Sequence, residues 1–389
     1  MIKSLKLLFI FGTRPEAIKL APVIKFAEND RNLDVITVTT AQHRDMLDQT
    51  LEVFQIKPDY DLNIMLTNQT LSDITRNSVT KLDNIIKNEH PDVIVVQGDT
   101  TTAFVGGLVG YYNRSKVAHV EAGLRSFDKF NPFPEEINRR LISVVADYHF
   151  APTNRAKENL LSEGIKTDKI FVTGNTVVDA LMSTARLELL NNGRTVGELK
   201  DMFRKGKKVI LLTVHRRENI GDPMMSIFRV VRKIAESRDD VIVIYPVHKN
   251  PHIRNLAAKY FSGAKNVILK EPLSYLEMIY VLKNCKFVLT DSGGLQEEAP
   301  TFNKPVLVLR EVTERPEGVE HGCARVIGTD DGNLEKEINT LLDNDKIYNL
   351  MSKAINPYGD GKASERIIDA LLFNFGVSQR LPDMFDPIT

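Results

Sequence analysis

The stretch LKLLFIFGTRPEA, from Leu5 to Ala17, joins a short apolar run to the start of a helix. The apolar run ends at Gly12 and is typical of a strand covered on both faces. Thr13 and Glu16 have the spacing of a capping box, and Pro15 suits the first helical turn. A strand followed at once by a capped helix is the unit of parallel sheets, so this segment indicates an α/β fold.

The alternation of Val-, Ile- and Leu-rich runs with longer amphipathic stretches continues along the chain and predicts parallel sheets covered by helices. The candidate strands in the first half are Leu5–Gly12, Asp34–Ala41, Asp92–Asp99, Lys116–Gly123, Tyr148–Thr153 and Lys169–Gly174. Those in the second half are Lys207–His215, Asp240–His248, Asn266–Pro272, Lys286–Gly294, Pro305–Arg310 and Ala324–Gly328. A polar, helical stretch at 175–206 separates them. We therefore expect two Rossmann-like, doubly wound domains with the site in the cleft between them.

Length and composition limit the function. The chain has 389 residues, and single cores stop growing near ~250 residues, which favours two domains. Lys+Arg and Asp+Glu both number 51, so no basic field is available for nucleic acid, and an anionic ligand has to be held locally. Two cysteines without a C-x-x-C pair predict reduced thiols. No apolar run approaches the ~20 residues of a membrane helix, and no ligating cluster suggests a metal, so we expect a cytoplasmic, metal-free protein.

The helix start after the first strand is a candidate anion site. Its free N–H groups, with Arg14 and Lys19 on the following turns, would attract a phosphate. A capped helix with two surface cations explains the same residues equally well. The segment lacks both G-x-G-x-x-G and the P-loop sequence, so neither a dinucleotide nor a Walker-type site is predicted.

Carboxylates follow two strands of the first half, Asp99 in QGDTTT and Glu121 in HVEAGLRS. Charged groups at the ends of apolar strands are costly to bury unless they are used or paired. Both are candidate functional residues, and Glu121 is favoured because Asp99 could instead cap the next helix.

The segment NPFPEEINRR carries Glu135 and Glu136 followed four residues later by Arg139 and Arg140. Two i,i+4 ion pairs on a helix are its ordinary explanation. The aromatic and proline-rich approach Phe127–Phe133 has the character of a shaped loop, which favours a functional role.

Strands of the second half end in residues that suit anions. His215 and His248 each end a strand, and Arg216 follows the first of them. In TDSGGLQEEAP, a strand leads into Ser292–Gly294 and a helix continues through Glu298. The glycines would let an anion approach the backbone, and the glutamate could accept hydrogen bonds from a ribose diol. A glycine-rich helix start used only for packing is the alternative.

These motifs together resemble one family, the non-hydrolysing UDP-N-acetylglucosamine 2-epimerases of bacteria and archaea. The resemblance spans nearly the whole chain and rests on FGTRPEAIKLAPV, TAQHRDMLDQ, DYDLNIM, QGDTTT, HVEAGLRS, PEEINRR, VTGNTVVDAL, HRREN, YPVH, LTDSGGLQEEAP, TERPEGVE and NPYGDGKASERI. It implies the GT-B architecture. Residues 1–174 would form the N-terminal domain, completed by C-terminal helices from about 362–389, and residues 175–361 the UDP-binding domain.

The resemblance also implies a reaction, the interconversion of UDP-N-acetylglucosamine and UDP-N-acetylmannosamine by elimination and re-addition of UDP through 2-acetamidoglucal. No cofactor is needed. The C2 proton is not acidic in the intact sugar, so loss of the diphosphate has to create positive character at C1 before a carboxylate removes it. The product would supply activated N-acetylmannosamine for cell-surface polysaccharide.

Carried over residue by residue, the family's catalytic positions fall on Asp99, Glu121, Glu135 and His215. Its substrate-binding positions fall on Arg14, Lys19, Arg139, Leu273, Met278, Ser292, Gly293, Gly294, Glu298 and Arg315. In the family, the two apolar positions form the uracil wall, where other members carry different side chains, and Glu298 holds the ribose.

Many bacterial members also bind a second UDP-N-acetylglucosamine as an allosteric activator. The matching positions are Gln42, His43, Glu136, Arg216 and His248. Asp45 and Asn68 replace the Gln and Arg of regulated relatives, and an added anion near a diphosphate predicts weakened activation. The resemblance further implies a homodimer.

Three other functions stay open: a GT-B glycosyltransferase, a hydrolysing epimerase that releases free N-acetylmannosamine and UDP, and a non-enzymatic nucleotide-sugar sensor. The acid/base carboxylates disfavour the first and the third, because neither would need them.

Overall fold

The computed structural model describes residues 4–41, 44–64, 69–187, 197–203 and 206–387. They form two compact units. One comprises residues up to Ala180 together with Tyr358–Pro387, and the other comprises Leu181–Pro357. The sequence predicts the first boundary at residue 174, just before the helix Thr176–Thr184, whereas the structure divides the chain within that helix.

The first domain has one parallel sheet, whose described strands have the order β3-β2-β1-β4-β5-β6-β7. The strands are β1 Leu5–Phe11, β2 Leu33–Thr39, β3 Tyr60–Asp61, β4 Val93–Gln97, β5 Lys116–Val120, β6 Tyr148–Ala151 and β7 Ile170–Val172. The helices are α1 Arg14–Glu28, α2 Arg44–Val53, α3 Leu71–Glu89, α4 Thr101–Tyr112, α5 Glu135–Val145, α6 Asn154–Ser162 and α7 Thr176–Thr184. The two-residue β3 was not predicted, because so short a strand leaves no periodic signal.

The second domain has another parallel sheet, with described strands in the order β10-β9-β8-β11-β12-β13. The strands are β8 Lys208–Thr213, β9 Val241–Pro246, β10 Val267–Lys270, β11 Phe287–Thr290, β12 Val306–Val308 and β13 Ala324–Val326. The helices are α8 Gly197–Phe203, α9 Asp222–Ser237, α10 Pro251–Phe261, α11 Tyr275–Asn284, α12 Gly293–Glu298, α13 Pro316–Glu320, α14 Asp331–Asp343 and α15 Asp345–Ser352. The predicted α/β class is confirmed.

The core of the first domain lies on both faces of its sheet. Leu7 and Phe9 of β1 pack on one face with residues of α1, while Leu8 and Ile10 pack on the other with residues of α3 and α4. Continuous apolar strands are needed because helices cover both faces.

The chain returns to the first domain through α16, Ala363–Asn374, which contributes Ile367 and Leu371 to the same core as α1. Beyond α16 the described chain is not helical, and Phe385 N donates to Val172 O at 2.8 Å. A single helix therefore stands where the sequence predicts C-terminal helices.

The strand order reverses its direction once in each sheet. The reversal, or switch point, lies between β1 and β4 in the first sheet and between β8 and β11 in the second. Ligands of open α/β sheets bind beside such a switch point, at the carboxyl ends of the strands. The strands end earlier than predicted, for example β5 at Val120 and β8 at Thr213. The polar residues after β8 therefore lie in a loop at the second switch point, and those after β5 lie in a loop one strand away from the first.

Within the described ranges, no helix is long and apolar enough to cross a bilayer. The same part of the chain contains no group of three or more His, Cys, Asp and Glu side chains that could hold a metal ion. Cys285 and Cys323 are free, and burial raises the pKa of each thiol to about 12.

Candidate active site

The turn after β1 is fixed by the buried carboxylate of Glu16. Its Oε2 accepts hydrogen bonds from the backbone N of Gly12 at 3.1 Å and of Thr13 at 2.8 Å. Its Oε1 accepts one from Thr100 Oγ1 at 2.6 Å, in the turn after β4. The predicted capping interaction is confirmed, and it also joins the two loops of the first switch point. Burial raises the pKa of Glu16.

Glu121, predicted as an acid/base residue, has a buried carboxylate at the end of β5. It follows β5 with φ 65°, and its side chain is only 7% exposed. Oε1 accepts from Lys19 Nζ at 2.5 Å and from Asn175 Nδ2 at 3.2 Å, and Oε2 accepts from Gln97 Nε2. A cation and two amides thus orient this carboxylate.

Lys19 is therefore next to a predicted catalytic carboxylate, although the resemblance assigned it to the phosphate side. Sequence reasoning missed Gln97 and Asn175. Gln97 is the polar last residue of an otherwise apolar β4, and that feature could have identified it.

Asp99 lies in the turn after β4 and pairs with a cation. Arg139 Nε lies 2.9 Å and Nη2 2.7 Å from Asp99 Oδ2. The helix that follows is capped by Thr100, whose side chain accepts from Ala103 N at 3.0 Å. The alternative that Asp99 serves as this cap is therefore wrong. Its side chain is about a quarter exposed.

Glu136 anchors the aromatic loop. Its buried carboxylate accepts from Ser126 N at 2.9 Å and from Phe127 N at 3.3 Å. This contact explains why a loop with exposed phenylalanines has a fixed start, and it uses the carboxylate that the resemblance assigned to effector binding.

The ordinary explanation of PEEINRR holds only in part. Arg140 Nε lies 3.6 Å from Glu136 Oε1, so one i,i+4 pair is present. Arg139 pairs with Glu136 at 3.4 Å as well as with Asp99. The side chain of Glu135, the half-buried first residue of α5, has no hydrogen bond or ion pair with any residue that the structure describes.

Asp291 ties together the two loops of the second switch point. It follows β11 and is fully buried. Its Oδ2 accepts from His215 N at 2.9 Å, from Arg216 N at 2.8 Å and from Asn219 Nδ2 at 3.0 Å. Sequence reasoning missed this residue, although an acidic group directly after an apolar strand is a usable signal.

His215 faces both Asp291 and His248. Its Nδ1 lies 3.3 Å from Asp291 Oδ1, and its ring stacks on that of His248 with centroids 5.6 Å apart and planes 10° apart. Burial lowers the pKa of His215, while Asp291 opposes this shift. A negatively charged ligand would favour the protonated ring.

The segment Ser292–Gly294 leads into α12, and Ser292 N donates to Thr290 Oγ1 at 2.9 Å. Within the described residues, the hydroxyl of Ser292 makes no capping hydrogen bond. A Cβ at Gly293 would lie 3.6 Å from Arg216 Nη2, and one at Gly294 would lie 3.5 Å from Glu298 Oε1. The guanidinium of Arg216 and the carboxylate of Glu298 thus flank the same short segment.

Three further predicted positions lie in the second domain. Arg315 Nε donates to the buried carboxylate of Glu297, so its charge is paired within the domain. Leu273 lines a cavity of about 510 Å³ at the ends of β9 and β10, together with Val247, Arg254, Leu269, Lys270, Glu271, Pro272 and Glu277. Met278 packs against the core beside it.

For the remaining predicted positions the structure describes little or nothing. Arg14 is the half-buried first residue of α1. Gln42, His43 and Asn68 lie outside the described residues.

Two doubly wound parallel sheets with polar side chains at both switch points define a class of protein, the nucleotide-binding α/β enzymes. The family model of UDP-N-acetylglucosamine 2-epimerase matches residues 25–372, and the chain belongs to this family.

Relatives and solved structures agree. A UDP-N-acetylglucosamine 2-epimerase of Bacillus subtilis strain 168 is 50% identical over 384 residues, covering 99% of each chain. The S. aureus MnaA–UDP structure is 48% identical with a TM-score of 0.88 and covers 98% of this chain and 100% of that one. The Neisseria meningitidis UDP-GlcNAc 2-epimerase bound to UDP-GlcNAc is 43% identical with a TM-score of 0.84 and covers 95% and 100%.

Proposed function

We propose that this chain is an isomerase that interconverts UDP-N-acetylglucosamine and UDP-N-acetylmannosamine by inversion at C2. The observation that carries the proposal is the buried carboxylate of Glu121, oriented by Lys19, Gln97 and Asn175. Removing a proton from carbon needs such a positioned base. Two findings support this substrate. A relative with 50% sequence identity is named for this reaction, and related structures contain UDP or UDP-GlcNAc.

The reaction begins with loss of the diphosphate from C1. Negative charge grows on the leaving oxygen, so donors placed in advance stabilise the transition state. The donors of the second domain are His215, Arg216 and the backbone N–H groups of Gly293 and Gly294. Elimination leaves 2-acetamidoglucal, and re-addition of UDP reverses this step.

Proton exchange at C2 falls to the carboxylates of the first domain. Inversion requires the proton to leave one face and return to the other, so at least two carboxylates act. The candidates are Glu121, which accepts hydrogen bonds from Lys19, Gln97 and Asn175, and Asp99, which is paired with Arg139. Glu135, the first residue of α5, is the third. No cofactor takes part in this chemistry, and the product is activated N-acetylmannosamine for cell-surface polysaccharide.

The test is incubation with UDP-N-acetylglucosamine in deuterated water, followed by proton NMR. We expect both epimers, deuterium at C2 and no free sugar. Free N-acetylmannosamine would instead identify a hydrolysing enzyme. An unchanged substrate would leave a glycosyltransferase or a sensor, and these separate on addition of an acceptor sugar.

We also propose weak activation by a second UDP-N-acetylglucosamine. Asp45 adds negative charge next to the expected diphosphate, and Asn68 supplies no cation. Rates from UDP-N-acetylmannosamine, with and without trace UDP-N-acetylglucosamine, measure the effect. The double substitution Asp45→Gln with Asn68→Arg should strengthen activation. Strong activation of the natural chain, unaltered by this change, would contradict the proposal.

A homodimer is the third proposal. The α5 residues Ile137, Leu141 and Val144 form an exposed apolar stripe with i, i+4, i+7 spacing, and Val144 is 80% exposed. An apolar stripe of this kind could pack against the same helix of a second copy. Sedimentation should give a dimer, and Leu141→Glu with Val144→Glu should give a monomer. Val312→Glu, an exposed apolar residue of the second domain, is the matched control and should stay dimeric.

A further inference from the structure

The two carboxylate oxygens of Asp291 have unequal surroundings. Oδ2 accepts three hydrogen bonds, from His215 N, Arg216 N and Asn219 Nδ2. Oδ1 is buried and accepts none from the residues that the structure describes. A buried acceptor without a donor costs free energy, so such an atom needs a partner, and a proton on a neighbouring group is one that could supply it.

The atom placed to supply that donor is Nδ1 of His215, 3.3 Å from Oδ1. A neutral imidazole carries one N–H, so it can satisfy either Asp291 or a ligand on its other side, but not both. The imidazolium carries two and can donate to both at once. Protonation of His215 would thus complete the hydrogen bonding of Asp291 and add a charged donor at the second switch point.

We propose that Asp291 is a positioning residue that couples diphosphate binding to proton uptake by His215. One proton from solvent adds to the ring when UDP or the UDP-sugar binds. Nδ1–H then donates to Asp291 Oδ1, and Nε2–H donates to the diphosphate. This inference rests on the proposed function and deepens it, since it assigns the charge state of the group that faces the leaving UDP.

The surroundings of His215 allow its ring to be either neutral or protonated, depending on whether an anion is bound. Three groups act on its charge: Asp291 favours the imidazolium, whereas Arg216 and the stacked ring of His248 oppose it, as does burial. Without an anion, the opposing effects prevail and the ring is neutral. The negative charge of a bound diphosphate reverses the balance. The imidazolium then faces the leaving oxygen as its charge grows, which accelerates elimination.

The experiment is calorimetric titration of the whole protein with UDP near pH 8, in buffers of different ionisation enthalpy, which counts the protons taken up. At this pH, UDP itself is almost fully deprotonated, because the last phosphate proton has a pKa of about 6. We expect uptake approaching one proton, and a dissociation constant that rises about tenfold per pH unit over the range in which the uptake stays near one. Asp291→Asn keeps the side-chain shape and should abolish both effects while weakening UDP binding.

Two further variants identify the proton acceptor. His215→Gln should lose the uptake, whereas His248→Phe keeps a stacked ring and should retain it. Uptake that persists in His215→Gln, or that is equal in Asp291→Asn and the natural chain, would overturn the proposal.

Should Asp291→Asn fail to fold, ¹⁵N NMR of labelled histidines in the natural chain decides the matter, with His215→Gln providing the assignment. An imidazolium in the UDP complex supports the coupling, and a neutral ring refutes it. Epimerisation in deuterated water without proton uptake would refute the coupling alone. Proton uptake without epimerisation would refute the proposed function alone.

Discussion

The ammonium Nζ of Lys19 lies 2.5 Å from Oε1 of Glu121, a contact between side chains 102 residues apart in the sequence. The lysine extends from α1, and the glutamate follows β5. The ammonium group of Lys19 is therefore paired with the carboxylate that is proposed to exchange the C2 proton. This placement changes what substitution of Lys19 should do.

Lys19→Met should reduce turnover by roughly 10²-fold or more, because the base loses the cation that orients it. UDP affinity, measured by calorimetry, should change little. Lys25→Met is the matched control, since Lys25 lies on the same helix and pairs with Glu28 on the surface. Weakened UDP binding with normal turnover of bound substrate would return Lys19 to the phosphate side.

Glu121→Gln should lower turnover by ~10²–10⁴-fold, since the amide preserves shape but cannot exchange a proton. Deuterium entry at C2 should fall in parallel, while UDP affinity stays close to that of the natural chain. Glu28→Gln, an exposed carboxylate of the same domain, provides the control. Deuterium exchange at an undiminished rate would show that another group acts at C2.

Glu135 and Glu136 are adjacent, but their substitutions should affect different properties. Glu136→Ala leaves Ser126 N and Phe127 N without their acceptor, and it should lower the free energy of unfolding by about 1–3 kcal/mol. Glu135→Ala should leave stability within about 0.5 kcal/mol and reduce turnover instead. Urea denaturation and rate measurements separate the two. The reverse pattern would contradict the assignment of Glu136 to loop anchoring.

Stability should fall as the solution is acidified below neutrality. Burial lowers the pKa of His119 from 6.5 to about 3 and that of His149 to about 4. Below pH 6.5 these two histidines bind protons in the unfolded chain but stay neutral in the folded chain. Their contribution to the free energy of unfolding is therefore fully present above this pH and is lost below it. Each histidine contributes a slope of up to about 1.4 kcal/mol per pH unit.

Denaturation of the natural chain and of His119→Asn between pH 5 and 7 tests this. The substitution should lower stability at pH 7 but make the loss on acidification shallower. The difference between the two curves isolates His119 from the other titrating groups. Parallel curves would mean that His119 does not titrate on unfolding.

The sequence by itself determined the local features of this protein. Apolar runs at strand spacing predicted the α/β class and the positions of most strands, and Thr13 with Glu16 predicted the start of α1. These features depend on residues a few positions apart, whose spacing is visible in one dimension. The carboxylates after β4 and β5 were visible for the same reason, because a charge ending an apolar run stands out.

Only the tertiary structure decided which of these side chains meet. The strand order places β4 between β1 and β5, which brings Gln97 beside Glu121 and Thr100 beside Glu16. In the second sheet, β8 lies next to β11, so Asp291 reaches His215 across 76 residues of sequence. Contacts of this kind follow from how strands are arranged in space, and no local spacing encodes that arrangement.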